Sequence, residues 1–289
     1  MYIRNLYISL LILLSCAGIS YASCDWTGNI GSTSSLTDAN INECISEAST
    51  LTGEVTINLS AGTLATTATY TINMSSGFAN VTSLRVFGAG TVPTGSTKGS
   101  AGSTVLARGT SNNYAFNITG SSAKKFRLSN ITFTGGATSN AMVRVSGTSK
   151  PSTGGGFRLD HLSMPSIAYG QRAFWIDGAT YGVIDHNLIT SGYQLALVKD
   201  AGPGGNPSWH KAIDFGADNV YFEDNEVTGT AATKRWMFCD GVKGARIVVR
   251  YNTITNFYIG QHDAASGADG RGTFSYVAYN NTLIQTLVS

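Results

Sequence analysis

The chain has 289 residues, of which 34 are glycine, five are proline and only 12% are charged. This composition predicts one elongated domain built from many short strands and tight turns. The 19 Lys and Arg side chains nearly balance the 17 Asp and Glu side chains, for a net charge of +2, which gives no electrostatic basis for binding nucleic acid or an anionic membrane.

Residues 1–23 have the features of an export signal. Arg4 precedes an apolar run over residues 6–14, and small residues precede a cleavage site at Ser23. The run is too short to span a bilayer, so we expect no transmembrane segment in the mature chain. An alternative is a lipoprotein signal, because Leu13-Leu-Ser-Cys16 resembles a bacterial lipoprotein box and Cys16 would then carry the lipid. Either signal predicts an extracellular or cell-envelope protein.

Three cysteines follow this segment. Export places them in an oxidising compartment, where Cys24 and Cys44 can pair and tie the mature N-terminus to the first helix. Cys239 would then stay unpaired. The alternative is three reduced, partly buried cysteines, and the spacing does not match a metal-ligand set.

One amphipathic helix is predicted near the N-terminus, over residues 35–48. Thr37 is a suitable N-cap and Asp38 lies in the first turn. The residues that share one apolar helical face are Ile41, Cys44, Ile45 and Ala48. After Gly53 the apolar period changes to two, which indicates strands. The predicted strands are residues 55–59, 70–72, 84–87, 105–107 and 114–118.

An eight-residue apolar pattern then occurs six times, at residues 126–133, 157–164, 182–189, 220–227, 247–254 and 276–283. Positions 1, 3 and 8 of the repeat are almost wholly apolar. Position 6, the asparagine column, reads Ile131, Leu162, Asn187, Asn225, Asn252 and Asn281, at intervals of 31, 25, 38, 27 and 29 residues. These intervals identify a repeat array.

The repeats contain no helical segment between strands, which excludes the strand-helix-strand units of an α/β sheet. Hairpin strands would recur at roughly 8 to 12 residues, closer than these repeats. A coil of three short strands and three turns fits the interval, so each repeat is predicted to be one rung of a parallel β-helix. Stacked amides of the asparagine column, ~4.8 Å apart, would hydrogen-bond along the axis of this solenoid.

The Asp-His-Asn, Glu-Asp-Asn, Arg-Tyr-Asn and Tyr-Asn-Asn turns, after a helix followed by strands, resemble those of exported right-handed parallel β-helix proteins of the pectate-lyase-like superfamily. The resemblance runs from about residue 24 to the end. It implies an all-β, right-handed parallel β-helix as a single domain over residues 24–289, with residues 36–48 as an N-terminal capping helix. Members include polysaccharide lyases, glycoside hydrolases, adhesins and phage tailspikes.

No polar cap follows the last repeat within the 289 residues. An open strand edge invites pairing with other chains. We therefore expect either a domain that lacks its C-terminal cap or a homo-oligomer that covers this edge.

Positions 4 and 5 of the repeat carry most of the ionisable side chains, and both are predicted to face outward or to lie where the strand meets the turn. The fourth column reads Ser129, Asp160, Asp185, Glu223, Arg250 and Tyr279, and the fifth reads Asn130, His161, His186, Asp224, Tyr251 and Asn280. Two carboxylates on neighbouring rungs would repel by about 3.5 kcal/mol at an effective dielectric of 20. The candidates that offset this repulsion are bound Ca²⁺, Arg250, the two imidazoles, or a raised carboxyl pKa.

Each candidate has a catalytic interpretation, and the predicted catalytic residues are Asp160, Asp185, His186, Glu223 and Arg250. In lyases of this superfamily Ca²⁺ neutralises a uronate carboxylate, and the resemblance implies Asp185 and Glu223 as metal ligands with Arg250 as the base. Hydrolysis instead needs two carboxyl groups, about 5 to 5.5 Å apart for retention or 6.5 to 9.5 Å for inversion. The alternative is a solvated polar stripe without chemistry.

Two glycine-rich segments supply candidate substrate-binding residues. Residues 200–210 contain Trp209, which is predicted to stand beside the fourth column against a sugar face, and residues 260–272 contain His262 and Arg271. Both segments also fit ordinary surface loops. The sequence therefore predicts a protein that binds a polysaccharide or cell-surface glycan, with cleavage of that glycan as a further hypothesis. The competing hypotheses are a non-catalytic adhesin or tailspike-like binder and a structural envelope component.

Overall fold

The computed structural model describes residues 24–109, 114–121, 123–135, 141–148, 156–179, 181–199, 219–230, 238–242, 244–260 and 272–287. The predicted signal with Cys16, and the candidates Trp209, His262 and Arg271, lie outside these ranges. In the part of the chain that is described, no helix is both long enough and apolar enough to cross a bilayer.

The chain coils so that successive turns add one strand to each of three sheets, and all neighbouring strands are parallel except β1 and β2. Sheet A is ordered β1 (Cys24–Thr27), β2 (Ile30–Thr33), β3 (Gly53–Asn58), β6 (Val81–Phe87), β9 (Lys125–Ser129), β12 (Gly156–Asp160), β15 (Gly182–Asp185), β18 (Val220–Glu223), β21 (Arg246–Arg250), β23 (Ser275–Tyr279). Sheet B is ordered β4 (Gly62–Thr66), β7 (Thr104–Arg108), β10 (Thr132–Gly135), β13 (Ser163–Ile167), β16 (Leu188–Ser191), β19 (Glu226–Gly229), β22 (Thr253–Thr255), β24 (Thr282–Ile284). Sheet C is ordered β5 (Tyr70–Asn73), β8 (Phe116–Thr119), β11 (Ala141–Thr148), β14 (Arg172–Ala179), β17 (Ala196–Lys199), β20 (Cys239–Val242). This is the predicted right-handed parallel β-helix.

The predicted helix is present as α1 (Asp38–Ala48), and it lies against the first strands of sheet A. The Thr37 hydroxyl accepts a hydrogen bond from the backbone N–H of Asn40 at 3.1 Å, which is the expected N-cap. All four residues of the predicted apolar face are buried. A disulfide joins Cys24 to Cys44, so α1 is tied to β1, while Cys239 is a buried free thiol, as the paired alternative predicted.

The asparagine column is confirmed as a ladder of buried amides. The Nδ2 atom of Asn187 donates to Oδ1 of Asn225, and the same bond links Asn225 to Asn252, each at 2.9 Å. A third such bond, also 2.9 Å, links Asn252 to Asn281. Each Oδ1 also accepts a backbone N–H from the preceding rung, so the amides fix the rungs in register.

The chain turns sharply between sheet A and sheet B at position 5 of each repeat. All six residues there have left-handed backbone dihedrals, with φ between 51° and 61°: Asn130, His161, His186, Asp224, Tyr251 and Asn280. Asn, Asp and His tolerate this conformation better than other non-glycine residues. The residue types of the fifth column therefore indicate a left-handed turn at this position of each repeat.

Candidate functional site

The fourth column is in the predicted register. Ser129, Asp160, Asp185, Glu223, Arg250 and Tyr279 are Cα partners on the successive strands β9, β12, β15, β18, β21 and β23. The structure therefore places all five predicted catalytic residues at the carboxyl ends of neighbouring strands of sheet A, next to the turn into sheet B.

The first two carboxylates of this column lie where the strand meets the turn, one of the two predicted positions, and they are buried there. Asp160 has no exposed surface, and the Asp185 side chain is only 4% exposed. Arg127 covers Asp160 with contacts of 2.8 Å from Nε to Oδ1 and 2.5 Å from Nη2 to Oδ2. Arg158 contacts Asp185 in the same way, at 3.0 and 2.6 Å.

Arg127 and Arg158 were not among the predicted site residues. Both stand at position 2 of their repeats, and positions 2 and 4 of a strand point to the same side of the sheet. In each pair the arginine lies one rung before its carboxylate, as a diagonal neighbour across parallel strands. The sequence alternation was therefore sufficient to predict both ion pairs.

Each buried carboxylate also contacts the imidazole of the following residue. The Nδ1 atom of His161 lies 2.8 Å from Oδ2 of Asp160, and that of His186 lies 2.7 Å from Oδ2 of Asp185. The two rings stack with centroids 5.1 Å apart and planes 20° apart. His161 is buried and its Nε2 atom has no hydrogen-bond partner, whereas the His186 side chain is 19% exposed.

A raised carboxyl pKa was one of the four candidates for offsetting the repulsion, and it does not apply to Asp160, whose pKa is lowered. Burial alone would raise the pKa of this carboxyl, but hydrogen bonding to Arg127 and the charge of Arg127, together with His161 and Arg158, hold it below its usual value. The hydrogen bond to Asp185 correspondingly raises the pKa of Arg158. The repulsion between neighbouring carboxylates is thus offset by guanidinium groups within the same sheet.

Glu223 and Arg250 form a third ion pair, with Arg250 Nε 2.6 Å from Glu223 Oε2. The Nη1 atom of Arg250 donates to the Tyr279 hydroxyl at 3.0 Å. Hydrogen bonding to Tyr279 and then to Glu223 raises the pKa of Arg250, despite partial desolvation. A catalytic base must release its proton transiently, so these contacts argue against the predicted base role of Arg250.

The predicted calcium ligands do not fit a calcium site. Asp185 and Glu223 each contact a guanidinium group, Arg158 and Arg250 respectively, so a cation would meet positive charge at both carboxylates. Among the described residues, no cluster of three or more His, Cys, Asp or Glu side chains has a geometry that would hold a metal ion. We derive no metal-dependent step from these residues.

The segment between β6 and β7, residues 88–103, packs along the turn beside this column. The backbone N–H of Gly99 donates to the His186 carbonyl at 2.8 Å, and Lys98 Nζ lies 3.7 Å from Asp224 Oδ1. The buried Asn130 amide holds the base of the segment, accepting from Ala101 and Gly102. Residues 200–210, which were predicted to stand beside the fourth column, lie outside the described residues. The approach of residues 88–103 to this column was not predicted.

The last three rungs of sheet A present a different surface, an open groove of about 250 Å³. It is lined by Tyr221, Val248, Arg250, Val277 and Tyr279, which we call the tyrosine groove. The guanidinium carbon of Arg250 lies 4.8 Å from the Tyr221 ring centroid. The exposed ring of Tyr251 meets that of Tyr279 edge to face at 5.9 Å, so an additional aromatic side chain borders the groove.

Comparison with solved structures found two pectin methylesterases with a similar course of the chain. A rice weevil enzyme is 12% identical, with a TM-score of 0.44 and 86% of each chain covered. An Aspergillus niger enzyme is also 12% identical, with a TM-score of 0.43 and 93% of each chain covered. No family model and no curated protein matches the sequence. At this level of similarity the comparison concerns the fold, and the function has to be argued from the side chains.

Proposed function

We propose that this chain is an exported glycan-binding β-helix protein and that the tyrosine groove holds part of a polysaccharide chain. The observation that supports it most directly is the contrast along sheet A. The buried carboxylates Asp160 and Asp185 are paired with arginines, whereas Tyr251 and Tyr279 are 50% and 39% exposed.

The groove has the surfaces that a sugar ring needs. Tyrosine rings offer flat apolar faces with a polar tip, and the Val248 and Val277 side chains supply an apolar floor between them. Arg250 and the Tyr279 hydroxyl supply donors for sugar oxygens. The volume is below the ~300–1,000 Å³ typical of small-molecule pockets, which suits one segment of a longer chain lying across the rungs.

We propose binding without cleavage as the main activity. Asp160 and Asp185 are buried and each is covered by a guanidinium group, which argues against direct contact with a glycosidic bond. Of the predicted catalytic residues, His186, Glu223 and Arg250 have partly exposed side chains. If the chain does cleave a glycan, these three are the candidates for acid, base and charge stabilisation, with Asp185 orienting His186.

Removing the exposed tyrosine rings should weaken binding. We expect Tyr279→Ala to reduce the affinity for the retained polysaccharide about tenfold, because loss of one stacked ring is worth on the order of 1 kcal/mol or more. Affinity electrophoresis in gels containing pectate, alginate, xylan or dextran identifies the polysaccharide and measures the change. Tyr258→Ala is the control, since Tyr258 is 57% exposed and outside the groove. Equal retention of wild type and Tyr279→Ala on every gel would contradict the proposal.

Cleavage is tested with the same protein. We expect incubation with pectate or alginate, with and without Ca²⁺, to give no rise in the ultraviolet absorbance of unsaturated products and no new reducing ends. Product formation that disappears in Glu223→Gln but not in Tyr258→Ala would replace the binding proposal with a catalytic one.

A further inference from the structure

A second aromatic surface lies on the outer face of sheet C. Trp175 on β14 meets the Tyr114 ring edge to face, with centroids 6.4 Å apart and an 88° angle between planes. Two cations flank the same indole: Lys199 Nζ lies 5.1 Å and Arg172 Cζ 5.8 Å from the ring centroid. Arg172 also lies 5.0 Å from the Tyr193 ring.

Arg144 completes this surface. Its guanidinium lies 5.6 Å from the Tyr114 ring and forms an ion pair with Asp177 at 2.9 Å. Arg144 and Trp175 are Cα partners on β11 and β14. We call this surface the Trp175 patch, and its members are Tyr114, Arg144, Arg172, Trp175, Tyr193 and Lys199.

The patch has an excess of positive charge. Within the described ranges, Arg144 pairs with Asp177, whereas no carboxylate lies within ion-pair distance of Arg172 or Lys199. Arg172 instead donates from Nε to the Gln194 amide oxygen at 2.9 Å. Cation–π contacts of this kind contribute about 0.5–1 kcal/mol at exposed sites. They hold the cations beside the rings.

We propose that the Trp175 patch is a second glycan-binding surface and that it takes an acidic sugar. An aromatic ring with adjacent unpaired cations matches a ligand that has a flat apolar face next to a carboxylate or sulfate group. The tyrosine groove differs in this respect, because its Arg250 is already paired with Glu223. The two surfaces lie on different sheets, so each can bind or fail to bind independently of the other.

The test compares full-length wild type with the double variant Arg172→Gln/Lys199→Gln in affinity electrophoresis on chondroitin sulfate and polygalacturonate, with dextran as the neutral gel. We expect the double variant to lose at least about tenfold in affinity for the acidic polysaccharides and to show a weaker dependence on salt. Tyr258→Ala, whose exposed ring belongs to neither surface, should retain this acidic binding. Trp175→Phe, which preserves a ring, should weaken binding less than Trp175→Ala.

Lys125→Gln is the matched charge control, because Lys125 is an exposed lysine on sheet A. Three results would overturn the proposal: unchanged binding in the double variant, no binding of either acidic polysaccharide by wild type, or an equal loss in Lys125→Gln. Displacement of the acidic polysaccharide by single-stranded DNA at equal charge concentration would assign the patch to nucleic acid instead. Circular dichroism melts of each variant separate a loss of binding from a loss of folding.

Discussion

Asn225→Ala should lower the free energy of unfolding by about 4 kcal/mol, because each buried polar group that loses its partner costs about 1–3 kcal/mol. The Asn225 Oδ1 atom accepts from the backbone N–H of Asn187 at 3.0 Å and from its Nδ2 at 2.9 Å. The Asn225 Nδ2 atom donates to the Ile184 carbonyl at 2.8 Å. The same Nδ2 atom also donates to Oδ1 of Asn252 at 2.9 Å, so the alanine variant removes four bonds and leaves their partners buried inside the solenoid.

Urea unfolding followed by circular dichroism measures this change. The control is Asn117→Ala, which deletes the same group from the outer face of sheet C, where it accepts a long contact of 3.5 Å from Arg144. We expect Asn117→Ala to lower the free energy of unfolding by less than about 1 kcal/mol. Equal effects for the two variants would show that the asparagine column does not stabilise the stacking of the rungs.

Asp160→Asn should lower the free energy of unfolding by about 3 kcal/mol at neutral pH, because it breaks an ion pair whose carboxylate is fully buried. Asp160 accepts from Arg127 at both oxygens and from the Ser129 hydroxyl at 3.1 Å. The variant keeps the shape of the side chain but replaces one acceptor oxygen with a donor facing Arg127. Asp25→Asn, at an exposed position on β1, is the control and should hardly change the free energy of unfolding.

The effect of Asp160→Asn should depend on pH in a defined direction. The pKa of the native carboxyl lies below that of the unfolded chain, so its stabilisation is fully present above about pH 4. It is lost as the pH falls from there through the native pKa. The difference in the free energy of unfolding between wild type and Asp160→Asn should therefore be large at pH 7 and small below pH 4. If this difference instead grows as the pH falls, Asp160 is not held ionised by Arg127.

Much of the fold follows from the sequence because solenoid repeats carry the same information several times. The spacing of Asn187, Asn225, Asn252 and Asn281 predicted both the rungs and their register, and the Thr37 cap with the apolar face of α1 predicted the helix. A repeated column is a strong signal, since a register shift by one residue would move every apolar side chain out of the core.

The electrostatic state of the site was predicted less well. The sequence predicted that position 4 faces outward or lies where the strand meets the turn, and neither alternative included burial of the carboxylates. The carboxylates of Asp160 and Asp185 are nevertheless buried, because the arginines at position 2 are long enough to lie over them. The packing of residues 88–103 against His186 and Asp224 joins segments far apart in the sequence, so no local pattern predicted it.

The most direct measurement of the central claim is a crystal structure with an oligosaccharide cut from the polysaccharide that wild type retains. We predict a sugar ring against Tyr279 with an oxygen bonded to Arg250, and the contacts of Arg127 with Asp160 and of Arg158 with Asp185 unchanged. A sugar bound over His186 and Glu223, with Arg158 and Arg250 turned away from their carboxylates, would contradict it.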